Sequence, residues 1–236
     1  NQLFILRIML NKILAKNSTV FNKVVPFDVV EDKLLLMDFT ATNTSLTPEI
    51  LANTNLFSEY IISKLHAAQA LYGIGGYNEH RTIYARSEVF DGKKEPRRLH
   101  LGIDIWGKAQ TPVYAPIGGM VHSVAFNNQF GDYGATVILQ HQLDGVQFHT
   151  LYGHLSLASL NNLQEGKYVS QGEIVGYFGE PNENGHWPPH LHFQIIEDME
   201  LKEGDYPGVC VLSESDKYLK NCPNADLILQ LMQYVA

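Results

Sequence analysis

Three of the chain's ten histidines lie in the short segment GHWPPHLHFQI, residues 185–195. Side chains on a β-strand alternate between its two faces, so His190, His192 and Gln194 are predicted to share one face, with neighbours about 6.5 to 7 Å apart. The apolar residues between them would face a core. Two imidazoles in register are typical of a metal site or of acid–base catalysis. The alternative is a polar surface strand that happens to use histidine.

A further candidate histidine follows a glycine in the segment VQFHTLYGHLS, residues 146–156. Regular alternation would place Tyr152 and His154 on one face of this strand and His149 on the other. His149 is therefore interpreted as a structural residue. Gly153 leaves room for a neighbouring group to approach His154. Taken alone, His154 would be read as a packing residue.

The third segment is RRLHLGIDIWG, residues 97–107, in which a histidine and an aspartate stand four positions apart. His100 and Asp104 share parity, but a straight strand would hold them about 13 Å apart, too far to share one metal ion. Gly102 lies midway between them, and a bend at this glycine is required if both are to bind the same ion.

Together the three segments could supply one complete hydrolytic site. Two imidazole nitrogens and one carboxylate are a common ligand set for catalytic zinc, with a fourth position left open for water. No glutamate accompanies these histidines in an HExxH arrangement, so any general base is expected to be another histidine.

The motifs HLGID, YGHL and HLHF, in this order, resemble those of the LytM/lysostaphin-type zinc metallopeptidases, the M23 family, over about residues 97–197. The resemblance implies a two-layer antiparallel β-sheet with a narrow, metal-containing groove, and a peptide bond of peptidoglycan stems or cross-links as substrate. It also implies one zinc ion per chain and assigns five residues, as ligands His100, Asp104 and His192 and as the catalytic pair His154 and His190.

The chain departs from the family pattern at two places, and both concern the surroundings of the metal site. Gln194 stands where the family usually has glutamate, and the longer loop GEPNENGHWPP replaces a glycine-rich turn. Four further residues are predicted to contact substrate. Arg97 and Arg98 flank the predicted site and could pair with substrate carboxylates, the alternative being that they are solvated. Tyr152 shares the predicted face of His154, and His186 lies in the loop before HLHF, at the rim of the groove.

Composition narrows the class of partner and the class of fold. The 236 residues carry a formal net charge of −8, which argues against nucleic acid as the main partner. Short runs rich in Val, Ile, Tyr and Phe alternate with Gly, Pro and Asn turns from about residue 81 to 197. The sequence therefore predicts a mainly β fold with flanking helices (α+β). Cys210 and Cys222 could be free thiols or one disulfide.

Three regions follow from this pattern: a partly helical region packed on the body (1–80), the M23-like β-rich domain (81–200), and a C-terminal loop and helix (201–236). The first region is expected to begin with an amphipathic helix rather than a signal peptide or a membrane span. A second helix is predicted from about residue 48, with its C-cap at Gly73, and a last one near Pro223. The apolar stripes of the first two helices are Leu3, Leu6, Leu10, Ile13 and Leu14, and Leu51, Leu56, Ile61, Leu65, Ala68 and Leu71.

Two alternatives to a wall endopeptidase stay open on the sequence. The first is a non-catalytic relative that binds or regulates, because degenerate members of the family lose ligands. The second is a cytoplasmic metallohydrolase acting on other peptides, which the lack of a visible leader favours, whereas the family implies the cell envelope, the periplasm or the exterior.

Overall fold

A large β-sheet forms the centre of the protein. The computed structural model describes residues 2–91 and 94–235, and the side chains of residues 2–8 lie outside the description. The twelve strands of the described chain are β1 (Leu34–Met37), β2 (Tyr72–Gly75), β3 (Leu99–His100), β4 (Ile103–Trp106), β5 (Pro112–Tyr114), β6 (Gly119–Asn127), β7 (Gly134–Leu143), β8 (Val146–Leu155), β9 (Tyr168–Val169), β10 (Ile174–Tyr177), β11 (His190–Ile196) and β12 (Val209–Cys210). The large sheet has eight of these strands in the order β1-β2-β4-β11-β8-β7-β6-β9, and every neighbouring pair is antiparallel except β1 and β2.

One face of this sheet carries the main hydrophobic core. Ile103, Phe193 and the other apolar residues that alternate with the polar ones along β4 and β11 point into it. Helices α1 (Gln2–Lys16) and α5 (Asp226–Leu229) contribute Leu10, Leu14 and Ile228 to the same cluster. The small sheet of β5 and β10 adds further residues to this cluster. Helix α1 thus packs against the body as an amphipathic helix does. Leu3 and Leu6 of its predicted apolar stripe are among the side chains that are not described.

The opposite face is covered by two smaller clusters, and it is the face that carries the site. An aromatic cluster centred on Phe57, Trp106 and Trp187 packs under α3 (Thr54–Ala68). A second cluster includes Cys210 and Cys222, both of which are buried free thiols. The small sheet of β3 and β12 belongs to this side. The fold is therefore mainly β with flanking helices, as the sequence predicted.

The helices differ from the predictions in where they begin and end. The single helix expected after residue 48 is two, α2 (Pro48–Ala52) and α3, because Asn53 breaks the run and caps α3 through its side chain. Helix α3 ends at Ala68 with Gln69 in the left-handed conformation, and Gly73 lies in β2 instead of forming a cap. Leu71, 41% exposed, is not part of the buried stripe.

The C-terminal region also departs from expectation. The long last helix is reduced to α5, which covers only Asp226–Leu229, followed by a 3-10 turn at Met232–Tyr234. A further helix, α4 (Ser215–Asn221), forms where only a loop was predicted. Within the described ranges, no helix has both the length and the apolar character needed to cross a membrane.

Candidate metal centre and catalytic pocket

Strand pairing brings the predicted metal ligands together. Asp104 on β4 and His192 on β11 are direct cross-strand partners. His100 ends β3, which pairs with β12 rather than with the large sheet. The chain therefore bends at Leu101 and Gly102, as a shared site requires. A Cβ at Gly102 would lie 2.6 Å from His192 Cε1, so only glycine leaves space for this imidazole.

Three atoms that could bind a metal ion converge at the resulting site. His192 Nδ1 lies 2.9 Å from Asp104 Oδ1 and 3.0 Å from His100 Nε2. His100 Nε2 lies 3.3 Å from Asp104 Oδ1. The corners of a tetrahedron with zinc bonds of about 2.0 Å are about 3.3 Å apart. All three residues are buried, and they form the one group in the described chain with metal-ligand spacing.

The outer hydrogen bonds show which ring nitrogens carry protons. His100 Nδ1 donates to the Gly76 carbonyl at 2.9 Å, so its Nε2 keeps a lone pair. Gln194 donates its amide N–H to the Pro207 carbonyl, which turns its oxygen toward His192 Nε2 at 2.9 Å. His192 Nε2 must then be the donor, and its Nδ1 also keeps a lone pair. Three unprotonated acceptors facing one another are a site that fits a cation.

Buried charges favour the metal-binding protonation states. Burial alone would raise the pKa of the Asp104 carboxyl, but His100 and Arg81 hold this pKa well below its usual range. Burial, with Arg81 nearby, lowers the pKa of His100 to about 4. Both groups are therefore deprotonated at neutral pH, as metal ligation requires.

The two histidines predicted as the catalytic pair stack beside this centre. His190 pairs across the sheet with Trp106, and their rings stack 3.8 Å apart. The His154 ring covers the other side of His190, with ring centroids 4.1 Å apart. His154 and His192 are 6.4 Å apart by the same measure. The structure thus brings all five of the principal predicted residues into one cluster.

Backbone carbonyls fix the orientation of both stacked rings. His154 Nδ1 donates to the Asn184 carbonyl at 2.8 Å, and His190 Nδ1 donates to the Pro188 carbonyl at 2.8 Å. Their Nε2 atoms are left as proton acceptors. Burial lowers the pKa of His190 to about 4 and, together with His190, lowers the pKa of His154 well below its usual value. Both imidazoles are neutral at pH 7.

A β-bulge in β8 places His154 on the sheet face that carries the predicted metal ligands and leaves Tyr152 on the opposite face. Two β7 positions, Ala135 and Val137, pair with β8 residues three apart, Leu155 and Tyr152, so β8 carries one extra residue there. His154 takes a left-handed backbone conformation, φ +62°. The expectation that Tyr152 shares its face is wrong, because that inference assumed unbroken alternation. Tyr152 is instead buried in the main core.

Tyr133 is the tyrosine that belongs to the site, and the sequence did not single it out. Its hydroxyl lies 3.5 Å from His192 Nε2 and donates to the Tyr206 carbonyl. Its ring packs on Gly153, where a Cβ would lie 2.5 Å away, which confirms the predicted close approach at this glycine. Its loop position between β6 and β7 carries no periodic signal that could have identified it.

Arg81 is a second site residue that sequence reasoning missed. It is fully buried and its Nη1 donates to Asp104 Oδ2, the oxygen turned away from the imidazoles. It also pairs with Glu79 at 2.6 Å. The one available signal was an arginine with a nearby glutamate in the segment YNEHR, which does not indicate burial.

A pocket of about 210 Å³ opens onto Asp104 and the two histidines predicted as the catalytic pair. Its apolar wall includes Tyr84, Phe90 and Trp187, and polar residues also line it. The polar residues are Arg97, Asp132, Tyr133 and Asp205.

Of the other residues predicted to contact substrate, one lines this pocket and two do not. Arg97 lines it, with its guanidinium over the Phe90 ring. Arg98 is paired with Asp91 at 2.8 Å and is not among the described residues that line the pocket. His186 is exposed, stacks on Phe130 and is likewise outside the described lining.

Comparison with known proteins gives a consistent family signal. Residues 98–203 match the family model described as peptidase family M23. An uncharacterized metalloprotease of Haemophilus influenzae is 36% identical over 98 residues, which are 42% of this chain and 18% of that protein. The L-Ala–D-Glu endopeptidase of Bacillus subtilis is 26% identical over 144 residues, 59% of this chain and 41% of that protein.

Lysostaphin is a further relative. The Staphylococcus simulans protein is 33% identical over 96 residues, which are 41% of this chain and 18% of that protein. The solved catalytic domain of lysostaphin from the same organism aligns with 70% of this chain and 98% of its own, at 23% identity and a TM-score of 0.41. The chain spans less than half the length of each of these three curated relatives.

Proposed function

Because this chain belongs to peptidase family M23 through residues 98–203, we propose that it is a zinc-dependent endopeptidase that hydrolyses a peptide bond in peptidoglycan stems or cross-links. The observation that carries the proposal is the convergence of three unprotonated ligand atoms, from His100, Asp104 and His192, next to two oriented neutral imidazoles. The name of one relative, an L-Ala–D-Glu endopeptidase, supports the substrate class.

The three ligands would hold zinc through His100 Nε2, Asp104 Oδ1 and His192 Nδ1. When bound, zinc supplies Lewis-acid activation of a water and of the scissile carbonyl. The outer contacts to Gly76 and Gln194 keep both imidazoles in the tautomer that ligation needs.

His154 and His190 would move the proton. Each presents an unprotonated Nε2, because each Nδ1–H is given to a backbone carbonyl. Two rings stacked 4.1 Å apart in a buried site cannot both carry charge, so the pair takes up one proton at a time. One imidazole accepts the proton of the attacking water and returns it to the leaving amine, while the other stays neutral and orients the reacting atoms.

Arg97 is the residue we assign to substrate carboxylates. It lines the pocket, and its guanidinium can form a bidentate pair with a carboxylate. Arg98 is committed to Asp91 and is left out of this assignment.

The test is digestion of purified muropeptides by the full chain, with and without chelator, read by mass spectrometry. We expect new fragments that disappear on chelation and return with added zinc. Zinc binding without any cleavage would instead favour the non-catalytic alternative. Cleavage of unrelated peptides but not of muropeptides would favour the cytoplasmic hydrolase.

The roles of the two stacked histidines have their own test. His154→Ala and His190→Ala should each keep zinc and lose at least about 10²-fold in kcat, the lower end of general acid–base assistance. The double variant should lose little more, because the two groups act on one transition state. His66→Ala, at an exposed histidine in the last turn of α3, is the matched control. A His154→Ala protein that loses its zinc would move His154 out of the pair.

A further inference from the structure

Arg81 is a buried cation that lies outside the segment matched by the family. It is fully buried, and all its polar contacts are internal. Its Nη1 donates to Asp104 Oδ2 and to the Tyr84 hydroxyl, the latter at 3.2 Å. Its Nε donates to Glu79 at 2.6 Å and its Nη2 to the Gly76 carbonyl at 3.1 Å. A buried charge with this many partners is held in one orientation.

The same network reaches a second predicted ligand. The Gly76 carbonyl accepts from Arg81 Nη2 and from His100 Nδ1. The Arg81 backbone N–H donates to the Arg98 carbonyl at 2.8 Å, two residues before His100. A Cβ at Gly75 would lie 2.7 Å from Arg81 Nη2, so this glycine leaves space for the guanidinium. Residues 75–81 therefore contact two ligands that the family segment supplies.

We propose that Arg81 is a positioning residue of the metal centre, which holds Asp104 Oδ2 so that only Oδ1 faces the two imidazoles. A carboxylate can bind a metal through one oxygen or through both. With Oδ2 held by Arg81, Oδ1 is fixed 2.9 Å from His192 Nδ1 and 3.3 Å from His100 Nε2. The inference rests on the proposed function only in taking these three residues as zinc ligands.

Charge alone predicts the opposite effect, which makes the inference testable. Removing a cation from beside a Zn²⁺ site would by Coulomb's law strengthen metal binding. Removing a positioning residue frees the carboxylate to rotate, and loss of such outer contacts typically lowers metal affinity about 10- to 100-fold. The sign of the change in affinity therefore separates positioning from simple charge compensation.

The experiment compares full-length Arg81→Met with the native chain by chelator competition for zinc. We expect zinc affinity to fall at least about 10-fold. The visible spectrum of the cobalt-loaded variant should also change, because the freed Oδ2 can join the metal and raise the coordination number. Arg81→Lys keeps the charge but lacks the planar fork, so it should recover only part of the affinity. Arg98→Met, at an arginine paired with Asp91 outside the pocket, is the matched control.

A second variant distinguishes a loss of zinc affinity caused by misfolding from one caused by loss of ligand positioning. Glu79→Gln with Arg81→Met removes the cation together with the charge of its other carboxylate partner, so Glu79 is not left as an unpaired acid, and circular dichroism checks the fold. Native or increased zinc affinity with a native cobalt spectrum, in a folded Arg81 variant, would overturn the inference. A native chain that binds zinc but cleaves no muropeptide would refute the proposed function and leave this inference standing.

Discussion

Gly102→Ala tests the geometry of the metal centre with the smallest change the chain allows. The added Cβ would lie 2.6 Å from His192 Cε1 and 2.7 Å from both His192 Nε2 and the Phe193 carbonyl oxygen. Ordinary contact begins at 3.4 Å, so the imidazole or its strand must move by about 0.8 Å. The Phe193 oxygen belongs to the backbone of β11, which cannot yield by a rotamer change.

A displacement of this size exceeds what a metal site tolerates. Functional groups need to be held within roughly 0.5 Å of the productive geometry. We therefore expect zinc affinity to fall by about 10-fold or more and kcat/KM by about 10²-fold. Chelator competition measures the affinity, and a muropeptide assay measures the rate.

Gly76→Ala is the control for this substitution. A Cβ at Gly76 meets nothing within 4 Å, and its carbonyl still accepts from His100. The control should keep native zinc affinity and rate. If Gly102→Ala also kept both, the close contact with His192 would not limit the site, and the reasoning from packing would be refuted.

Three further outcomes are expected. His192→Ala should lose stoichiometric zinc and activity together, and full zinc by elemental analysis would contradict its assignment as a ligand. Limited proteolysis should not produce, at early times, an intact and active fragment that begins near residue 76. The reason is that Leu10 and Ile61, in the preceding helices, are buried against the body. Burial lowers the pKa of His141 to about 4, whereas an unfolded histidine protonates near 6.5. The unfolded state therefore binds more protons below pH 6.5, and His141 should cost about 3 kcal/mol of unfolding free energy as pH falls from 6.5 to 4. Urea unfolding of His141→Gln should show a correspondingly weaker pH dependence; equal slopes would refute this.

The sequence predicted those parts of the site that depend on local alternation. His190 and His192 share a face of β11, and the apolar residues between them enter the main core. The bend at Gly102 also followed from spacing, because His100 and Asp104 could not otherwise meet. Each of these inferences needed only the geometry of one strand.

The parts it did not predict depend on contacts between distant segments. The extra residue at Gly153 and His154 exists through the pairing of β8 with β7, so alternation along β8 alone placed Tyr152 wrongly. Arg81 pairs with Asp104 and Glu79 where it is buried, and Asp104 lies 23 residues away along the chain. Periodicity carries no information about such pairings.

The hydrogen bonds of Gln194 explain how glutamine can stand where the family usually has glutamate. The position must accept a hydrogen bond from His192 Nε2, and an amide oxygen can accept this bond without carrying a charge. A glutamate would add a negative charge 2.9 Å from the imidazole, whereas glutamine adds none and uses its N–H group to bind Pro207 and Cys222. The substitution therefore preserves the tautomer that ligation requires and leaves Asp104 as the acidic ligand of the predicted zinc.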